Sequence, residues 1–309
     1  MPHALIAGIS GQDGQLLGGL LMKKGYRVWG VARRPLEVQK GIELLVGDIA
    51  APAFVDQAVR QVRPDEVYNL AAISRVMQSY REPLETIRVN AQSPVLWLDA
   101  LRRLRPQCRF FQAGSSEIFG EASVSPQNEE TPLRPRNPYG AAKAHAHALV
   151  RAYRAEYDLF ACNGILYNHE SELRPEAFVT RKITAAAARI KAGGDEKLHL
   201  GDLTARRDWS HAADFVWGMW AMLQHRAADD YVLASGRTHS VEDFCRLAFE
   251  HVGLDWRSHT VVDEGLVRSE KGAPLCGDAA RARRQLGWRP RISFEELVRC
   301  MVEADCAVG

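Results

Sequence analysis

The cysteines of this sequence lack the spacing of a metal site. Six are scattered over 309 residues, with no C-x-x-C pair among them. Because close cysteine pairs are the usual start of a structural zinc site, no metal is expected. We interpret the cysteines as free thiols in a reducing cytosol and predict a cytoplasmic protein. They are Cys108, Cys162, Cys245, Cys276, Cys300 and Cys306.

Long apolar runs and an excess of charge are also missing. No apolar run reaches the ~18 residues of a membrane helix, and a strand-like run begins at once, so neither a membrane span nor a signal peptide is expected. The 40 basic and 38 acidic residues leave a formal net charge of +2. This balance lacks the basic footprint of a nucleic-acid-binding protein. It is compatible with a small, phosphate-bearing ligand.

Short apolar runs alternate with amphipathic segments in the first half of the chain. They predict strands at 4–9, 26–32, 42–46, 66–70, 109–113 and 159–166, and helices at 15–24, 84–104 and 138–156. This alternation is typical of a parallel, doubly wound sheet, so we predict a Rossmann-type α/β fold. Ligands bind such sheets at the carboxyl ends of the strands. Candidate residues at those ends are Gly8, Arg33, Asp48, Ala71 and Ser115.

The pattern changes after residue 166, where elements are shorter and isolated cations are more frequent. It predicts a loop at 168–171, helices at 178–191, 211–224, 241–251 and 294–305, and strands at 198–200 and 231–234. We interpret 1–166 as a dinucleotide-binding Rossmann domain and 167–309 as mainly a smaller, mixed α/β substrate domain. A segment at about 211–235 is expected to return to the first domain.

A glycine-rich turn joins the first predicted strand to the first predicted helix. Gly8, Gly11 and Gly14 lie in the run Gly8-Ile-Ser-Gly-Gln-Asp-Gly14. Glycines let the backbone approach a pyrophosphate, and a helix N-terminus favours the anion. The alternative is an ordinary tight turn. Its position between strand and helix favours dinucleotide binding.

An acidic residue is missing at the end of the second predicted strand. NAD-binding proteins normally place one there against the ribose 2′-hydroxyl. The strand runs instead into Arg33 and Arg34. Two guanidinium groups suit the 2′-phosphate of NADP, because their planar forks bind phosphate oxygens in pairs. We therefore predict NADP rather than NAD, with a solvated basic turn as the alternative.

Two more loops follow predicted strands. Asp48 is placed either to hydrogen-bond an adenine amino group or to cap the helix that begins near Ala53. The run Leu70-Ala71-Ala72 offers small residues that would let the backbone pass close to a cofactor. Both loops fall on the edge of the sheet where the ligand is expected.

The strongest catalytic signal is the spacing of Tyr139 and Lys143. Residues four apart lie on one face of a helix. A lysine cation beside a phenol favours phenolate, so we expect the Tyr139 pKa to fall from roughly 10 toward neutral. Such a tyrosine would take a proton from a sugar hydroxyl, which Ser115 would also hydrogen-bond. Pro138 fits the first turn of this helix.

Glu117 follows Ser115 by two residues and would supply a second acid/base group. Two side chains spaced in this way share a face of an extended strand, so one pocket is expected to hold both. The alternative is a surface carboxylate. His145 and His147 also lie two apart, but on a helix they face different sides and do not form a metal pair.

Taken together, these motifs resemble the extended short-chain dehydrogenase/reductase superfamily, and within it the GDP-mannose 4,6-dehydratases. The similarity covers nearly the whole length and rests on seven motifs in order. They are Gly8 to Gly14, Ser115-Ser-Glu-Ile-Phe-Gly120, Tyr139 to Lys143, Gly164-Ile-Leu-Tyr-Asn-His-Glu-Ser171, Phe178 to Lys182, Arg207-Asp-Trp209 and Val302-Glu-Ala-Asp305.

The resemblance implies a hydro-lyase with tightly held NADP. Tyr139, helped by Lys143 and Ser115, would take the C4 hydroxyl proton while hydride leaves C4. Glu117 would then take the C5 proton and help water leave from C6. Return of the hydride to C6 would give the 4-keto-6-deoxy sugar. The implied ligand is a nucleotide sugar, and a dimer or tetramer is expected.

The resemblance also implies further binding residues. Expected cofactor contacts, besides those above, are Gln12, Asp13, Ile49, Leu70, Ala72 and His169, with Tyr139 and Lys143. Expected substrate contacts are Ser74, Ser116, Asn168, Val179, Lys182, Arg207 and Arg268, of which the two arginines would pair with the diphosphate. The alternative for each cation is a surface ion pair.

Several departures from the family pattern keep other functions open. Ser115 replaces the usual threonine, Lys271 replaces an expected carboxylate, and the segment after Arg34 is shorter. Val89-Asn90 is similar to epimerases and reductases, which makes a nucleotide-sugar 4-reductase or epimerase the alternative function. A non-enzymatic NADP sensor is a third hypothesis, disfavoured by the complete Ser115, Tyr139 and Lys143 set.

Overall fold

The computed structural model describes residues 1–266 and 273–308. Its strands, in chain order, are β1 His3–Ala7, β2 Arg27–Ala32, β3 Ile42–Val46, β4 Glu66–Asn69, β5 Arg109–Ala113, β6 Ala161–Leu166, β7 Asn168–Glu170, β8 Leu198–Leu200, β9 Arg206–Arg207, β10 Trp209–His211, β11 Asp230–Leu233, β12 His239–Ser240 and β13 Thr260–Val262. Its α-helices are α1 Gln12–Lys23, α2 Pro52–Val62, α3 Val76–Arg81, α4 Pro83–Ile87, α5 Ser93–Leu104, α6 Pro138–Tyr157, α7 Val179–Lys191, α8 Ala212–Gln224, α9 Val241–His251, α10 Ala280–Leu286 and α11 Phe294–Val308.

Seven parallel strands form the central sheet, in the order β11-β6-β5-β4-β1-β2-β3. Strand β1 pairs with β2 on one side and with β4 on the other. The strand order therefore reverses at β1, and the crevice at the carboxyl ends of β1 and β4 is where such sheets bind ligands. The predicted Rossmann-type fold is confirmed.

Apolar side chains cover both faces of this sheet. Successive residues of β1 point to opposite sides, so Ala4 and Ile6 join one core cluster while Leu5 and Ala7 join the other. Helices α1 and α8 contribute to the first cluster, and α2, α5 and α6 contribute to the second. Burial on both faces explains why the strands are nearly continuous apolar runs.

A third core cluster lies outside the central sheet. It is formed mainly by α7, α9 and α11, with Ile183, Phe244 and Leu297 fully buried. Trp209 of β10 stacks on Phe294 at the start of α11. Three small two-stranded sheets accompany this cluster, pairing β7 with β10, β9 with β12 and β8 with β13.

The chain departs from the predicted elements at two places that bear on the site. The predicted helix at 84–104 is interrupted by a π-helical turn, Arg88–Gln92, between α4 and α5. Such a turn takes in an extra residue, and sequence periodicity does not show it. The predicted loop at 168–171 begins with β7, because β10 supplies a parallel partner from far along the chain. Helices α3 and α10 were not predicted.

Neither a membrane-spanning helix nor a metal-binding cluster is expected from the sequence, and the described residues contain neither. No helix within 1–266 and 273–308 is long and apolar enough to cross a membrane. The same residues contain no group of three or more His, Cys, Asp or Glu side chains that could hold a metal ion. His145 is exposed and His147 is buried on α6, so they face different sides as predicted.

Candidate active site

The glycine turn after β1 is built so closely that side chains would not fit. Gly8 has a φ of +93°, and a Cβ there would lie 2.8 Å from the backbone nitrogen of Ala71. A Cβ at Gly14 would lie 2.3 Å from the carbonyl oxygen of Gly8. The turn therefore packs the first turn of α1 against β1, with Gly11 at the helix N-cap. A helix N-terminus approached through glycines fits an anionic pyrophosphate.

The loop after β4 faces this turn and is held at its far end by Asn90. Leu70 donates its N–H to the Ala7 carbonyl at 3.0 Å, which extends the pairing with β1 beyond the strand. The Asn90 side chain accepts the N–H of Ile73 at 2.8 Å and donates to the Ile73 carbonyl at 2.9 Å. The backbone of Leu70 and Ala71 is thereby held against Gly8 in the glycine turn.

Arg33 and Arg34 are both exposed directly after β2. Asp48, after β3, has partners for both oxygens: Oδ1 accepts the N–H of Ala50 at 2.9 Å and Oδ2 pairs with Arg88 at 2.6 Å. Burial raises the pKa of Asp48, but the Ala50 amide and Arg88 outweigh it and lower the pKa.

The N-cap of α2 is Ala51, so the alternative of Asp48 as the helix cap is wrong. The carboxylate instead holds the turn two residues on, which is the usual geometry of an Asx turn. The neighbouring Ile49 is buried.

Gln12, Asp13 and His169 form one hydrogen-bonded group, although the chain separates them widely. His169 Nε2 lies 2.9 Å from Asp13 Oδ2, and Gln12 Nε2 donates to the His169 carbonyl at 3.0 Å. Burial lowers the pKa of His169, but the Asp13 carboxylate outweighs it and raises the pKa. Burial likewise raises the pKa of Asp13, and His169 reverses this to a lowered pKa. The group joins α1 to β7 at the crevice.

Arg174 was missed by the sequence reasoning. Its charge acts on Asp13, His169 and Tyr139, and it lowers the pKa of each of these three groups. Its guanidinium lies 3.0 Å from the buried Glu170 and 3.7 Å from the centre of the Phe178 ring. The departure of this run from the family pattern hid the signal, which was an arginine placed shortly after the His169-Glu170-Ser171 motif.

Tyr139 and Lys143 lie buried on α6, as their spacing predicts. Lys143 Nζ lies 5.9 Å from the centre of the Tyr139 ring and donates to the Ala113 carbonyl at 2.7 Å. The side chain of Ser115 is close enough to Tyr139 to lower its pKa. The charge of Asp13 acts on both Tyr139 and Lys143. Tyr139, Lys143 and Ser115 therefore lie close to the start of α1, which follows the glycine turn.

The predicted lowering of the Tyr139 pKa is wrong for this structure. Burial raises the pKa of Tyr139 to about 12, and the hydrogen bond from Ser115 offsets this only in part. Burial also lowers the pKa of Lys143 to about 8, against the pull of Asp13. The physical reason is that low-dielectric surroundings disfavour both charged forms, and the ammonium is directed to the Ala113 carbonyl.

The predicted extended geometry of Ser115 and Glu117 is also wrong. Strand β5 ends at Ala113, and Ser116–Ile118 forms a 3₁₀ turn that Ser115 caps by accepting the Glu117 N–H at 3.2 Å. Ser115 and Glu117 are therefore not on an extended strand, and their side chains do not share a strand face. Glu117 Oε2 instead accepts a 2.7 Å hydrogen bond from Asn137, directly before α6.

The predicted substrate residues are spread around the crevice and the third core cluster. Ser116 is buried in the 3₁₀ turn, and Ser74 is exposed in the loop after β4. Asn168 starts β7, and Val179 starts α7. Lys182 donates to the His199 carbonyl at 2.5 Å, and Arg207 on β9 donates to the Arg206 carbonyl at 2.8 Å. Arg268 and Lys271 lie outside the described residues.

The chain is similar to known proteins over nearly its whole length. The family model for GDP-mannose 4,6 dehydratase matches residues 5–301. Two Arabidopsis thaliana relatives, GDP-mannose 4,6 dehydratases 1 and 2, are 43% and 44% identical over 322 residues. Each alignment covers 98% of this chain, with 89% and 86% of the respective relative.

Solved structures share the fold at lower identity. RMD from Pseudomonas aeruginosa, complexed with NADPH, has a TM-score of 0.86 at 22% identity, with 100% of both chains covered. dTDP-glucose 4,6-dehydratase from Bacillus anthracis, in complex with NAD, also has a TM-score of 0.86, at 17% identity over 98% of this chain and 96% of that one. These likenesses speak to the fold alone, whereas the family model and the closer relatives span nearly the whole chain. This chain belongs to the GDP-mannose 4,6 dehydratase family.

Proposed function

We propose that the protein uses NADP to convert GDP-mannose into GDP-4-keto-6-deoxymannose. One observation carries the proposal: Ser115, Tyr139 and Lys143 lie buried together, while the Glu117 carboxylate bonds Asn137, two residues before Tyr139, and its charge acts on Tyr139. A phenol with a serine hydroxyl close to it can take the proton of an alcohol once its pKa is lowered, and a carboxylate close to the phenol adds the means to remove a neighbouring proton. The family to which the chain belongs supports the same reaction.

The cofactor proposal rests on the cradle at the carboxyl ends of β1 and β4. Gly8, Gly11 and Gly14 would admit the pyrophosphate to the N-terminus of α1. A Cβ at Gly8 or Gly14 would clash with nearby backbone atoms. Exposed Arg33 and Arg34 would bind the 2′-phosphate. We assign the remaining cofactor contacts to Gln12, Asp13, Asp48, Ile49, Leu70, Ala71, Ala72, Tyr139, Lys143, His169 and, from the structure, Arg174.

In the oxidation step, Tyr139 would take the proton of the sugar C4 hydroxyl. Ser115 would hydrogen-bond the same hydroxyl and hold it against the phenol oxygen. When bound, the oxidised nicotinamide would take the C4 hydride, return it later to C6, and by its positive charge oppose the burial that raises the Tyr139 pKa. Lys143 would keep α6 fixed to β5 through the Ala113 carbonyl.

In the elimination step, Glu117 would remove the C5 proton, which the C4 ketone has made acidic. The same carboxyl would give that proton to the C6 hydroxyl, which leaves as water. The proton that Tyr139 took at C4 balances the proton that C5 regains after hydride returns to C6. The reaction therefore loses one water with no net oxidation.

Substrate binding is proposed for the residues around the crevice. The sugar and its diphosphate would contact Ser74, Ser116, Asn168 and Arg207, and the nucleotide would lie near Val179 and Lys182. Arg268 is proposed for the diphosphate from sequence alone. The identity of the nucleotide and of the sugar is proposed from the family to which the chain belongs.

The reductase or epimerase alternative loses its main sequence argument. That alternative rests on Asn90 and on the altered substrate loops, and both polar atoms of the Asn90 side chain bond the backbone of Ile73. Asn90 is buried inside the π-helical turn and serves the loop after β4. Its presence is therefore explained by the fold, with no need for a different reaction.

We also propose the broader organisation of the protein. Residues 1–166 would form the NADP-binding domain and 167–309 mainly the substrate domain, with 211–235 belonging to the first. In support, β11 pairs with β6 at the edge of the central sheet, and α8 packs in the same core cluster as α1. A cytoplasmic homo-oligomer, as dimer or tetramer, completes the proposal.

The decisive experiment is to incubate the purified protein with GDP-mannose and NADP and to follow the sugar by mass. A product lighter by one water, formed while NADPH absorbance stays flat, is the expected result. Stoichiometric consumption of NADPH would favour a reductase instead. Loss of no water from any nucleotide hexose or heptose would reject the dehydratase.

A further inference from the structure

Asn137 uses both ends of its side-chain amide at the start of α6. Its Oδ1 accepts the N–H of Gly140 at 2.7 Å, which makes it the N-cap of the helix that carries Tyr139 and Lys143. Its Nδ2 donates to Glu117 Oε2, also at 2.7 Å. Asn137 itself is only 8% exposed. A single small side chain therefore connects the carboxylate to the helix of the tyrosine.

The backbone makes a second connection between the same two segments. A Cβ at Gly140 would lie only 2.5 Å from the carbonyl oxygen of Glu117, so the first turn of α6 rests directly on the 3₁₀ turn. At its other end, Glu117 donates its N–H to Ser115. The backbone of Glu117 is thus fixed on both sides, and Asn137 fixes the position of the carboxylate itself.

Capping alone does not require asparagine. Serine and aspartate accept the helix N–H as well as asparagine does. Aspartate has no donor for a neighbouring carboxylate, and the serine hydroxyl, although it can donate, ends one bond nearer the backbone than the amide nitrogen of asparagine. The donor half of Asn137 is therefore the informative part, and it points at the group that the elimination step needs.

We propose that Asn137 is the positioning residue of Glu117, holding Oε2 so that Oε1 faces the sugar C5 and C6. The proposal rests on the proposed function, since it gives Glu117 the proton transfers of the elimination. It also makes the acid/base geometry depend on the helix of Tyr139, because one amide serves both. Oxidation at C4 and elimination at C5 would then be aligned by the same hydrogen-bonded unit.

The test compares variants that separate the cap from the donor. Asn137→Ser keeps a capping oxygen and loses the N–H to Glu117. We expect the kcat for dehydration to fall about 10- to 100-fold, as for a misplaced catalytic group. The KM for GDP-mannose and the Tm should stay close to wild type. Exchange of the C5 proton with D₂O, measured by mass, should fall in parallel with kcat.

Asn137→Asp gives a second, independent readout. It keeps the cap but places two carboxylates at hydrogen-bond distance, where they share one proton. The acidic limb of the pH–rate profile should therefore move to higher pH, which a purely structural role for residue 137 would not cause. The matched control is Asn128→Ser. Asn128 also accepts a backbone N–H, from Glu130 at 3.0 Å, but lies in a turn away from Glu117.

Two outcomes would overturn the inference. An Asn137→Ser protein with wild-type kcat and wild-type C5 exchange would show that Glu117 needs no such support. An Asn137→Asp protein with an unshifted pH profile would exclude contact between the two side chains during turnover. A wild type that dehydrates no nucleotide sugar would instead reject the proposed function, and this inference with it.

Discussion

The two sides of the crevice are held in place by different parts of the chain. On the side of the proposed cofactor, backbone packs directly on backbone. Gly8 lies against Ala71, and Leu70 donates its N–H to the Ala7 carbonyl. On the catalytic side, side chains hold the positions, through Asn137 on Glu117 and Lys143 on the Ala113 carbonyl. The cofactor side should therefore lose stability and cofactor binding when a side-chain atom is added. The catalytic side should lose activity when one polar side-chain group is changed.

Loss of the carboxylate charge at Glu117 should give the largest effect. Glu117→Gln keeps the size of the side chain but cannot take the C5 proton, so dehydration should fall by about 10³-fold. NADP binding and Tm should match wild type, because the cofactor side is untouched. The check is single-turnover product analysis by mass. Substantial remaining activity would mean that another group acts as the base.

Addition of one carbon at Gly14 should damage the opposite side. The new Cβ of Gly14→Ala would collide with backbone atoms of Gly8 and Ile9, which cannot move away cheaply. We expect destabilisation of about 1–3 kcal/mol and weaker NADP binding. The measurements are urea unfolding and a fluorescence titration of NADP.

The matched control for Gly14 is Gly19→Ala in the same helix. Its Cβ would meet only the flexible Gln39 side chain, at 3.3 Å. Alanine is the better residue inside a helix, so this variant should be neutral or more stable by about 0.5–1 kcal/mol. Equal losses of stability and of NADP binding in both variants would show that close backbone packing at Gly14 is not the cause.

The Asp13–His169 pair should make stability depend on pH in one direction. The folded pKa of His169 is raised by Asp13, so its contribution is complete below the unfolded value of about 6.5 and is lost as pH rises through the folded pKa. The lowered Asp13 pKa keeps the carboxylate ionised throughout this range.

We therefore expect wild type to exceed Asp13→Asn in unfolding free energy by about 1.5–3 kcal/mol near pH 6, with the gap narrowing toward pH 9. Urea unfolding at both pH values measures the gap. The exposed His145→Ala is the control and should show a constant difference. A gap that widens with pH would contradict the assigned ion pair.

The smallest effect is expected at Arg33 and Arg34, which are exposed and therefore screened by solvent. Replacing both by alanine should reduce the preference for NADP over NAD by about tenfold, which corresponds to about 1.4 kcal/mol. Titration of each dinucleotide gives the ratio. An unchanged ratio would mean that the 2′-phosphate is bound elsewhere.

What could be predicted from sequence follows the same division. The glycine turn and the strand ends were predictable because close backbone packing leaves a local mark, namely glycine and alanine at fixed places. The Tyr139 pKa was not, because burial depends on packing from distant segments. The contact of Asn137 with Glu117 left no periodic signal, although the start of α6 at Pro138 did. Strand β7 needed its distant partner β10 to form.

The π-helical turn at Arg88–Gln92 has an evolutionary consequence. Regular α-helix continues on both sides of it, so the turn is equivalent to one residue inserted into an otherwise continuous α-helix. Loss of a single codon would restore plain helical winding and rotate Asn90 away from Ile73, freeing the loop beside Gly8. Substitutions should therefore be tolerated along this helix more readily than any change in its length.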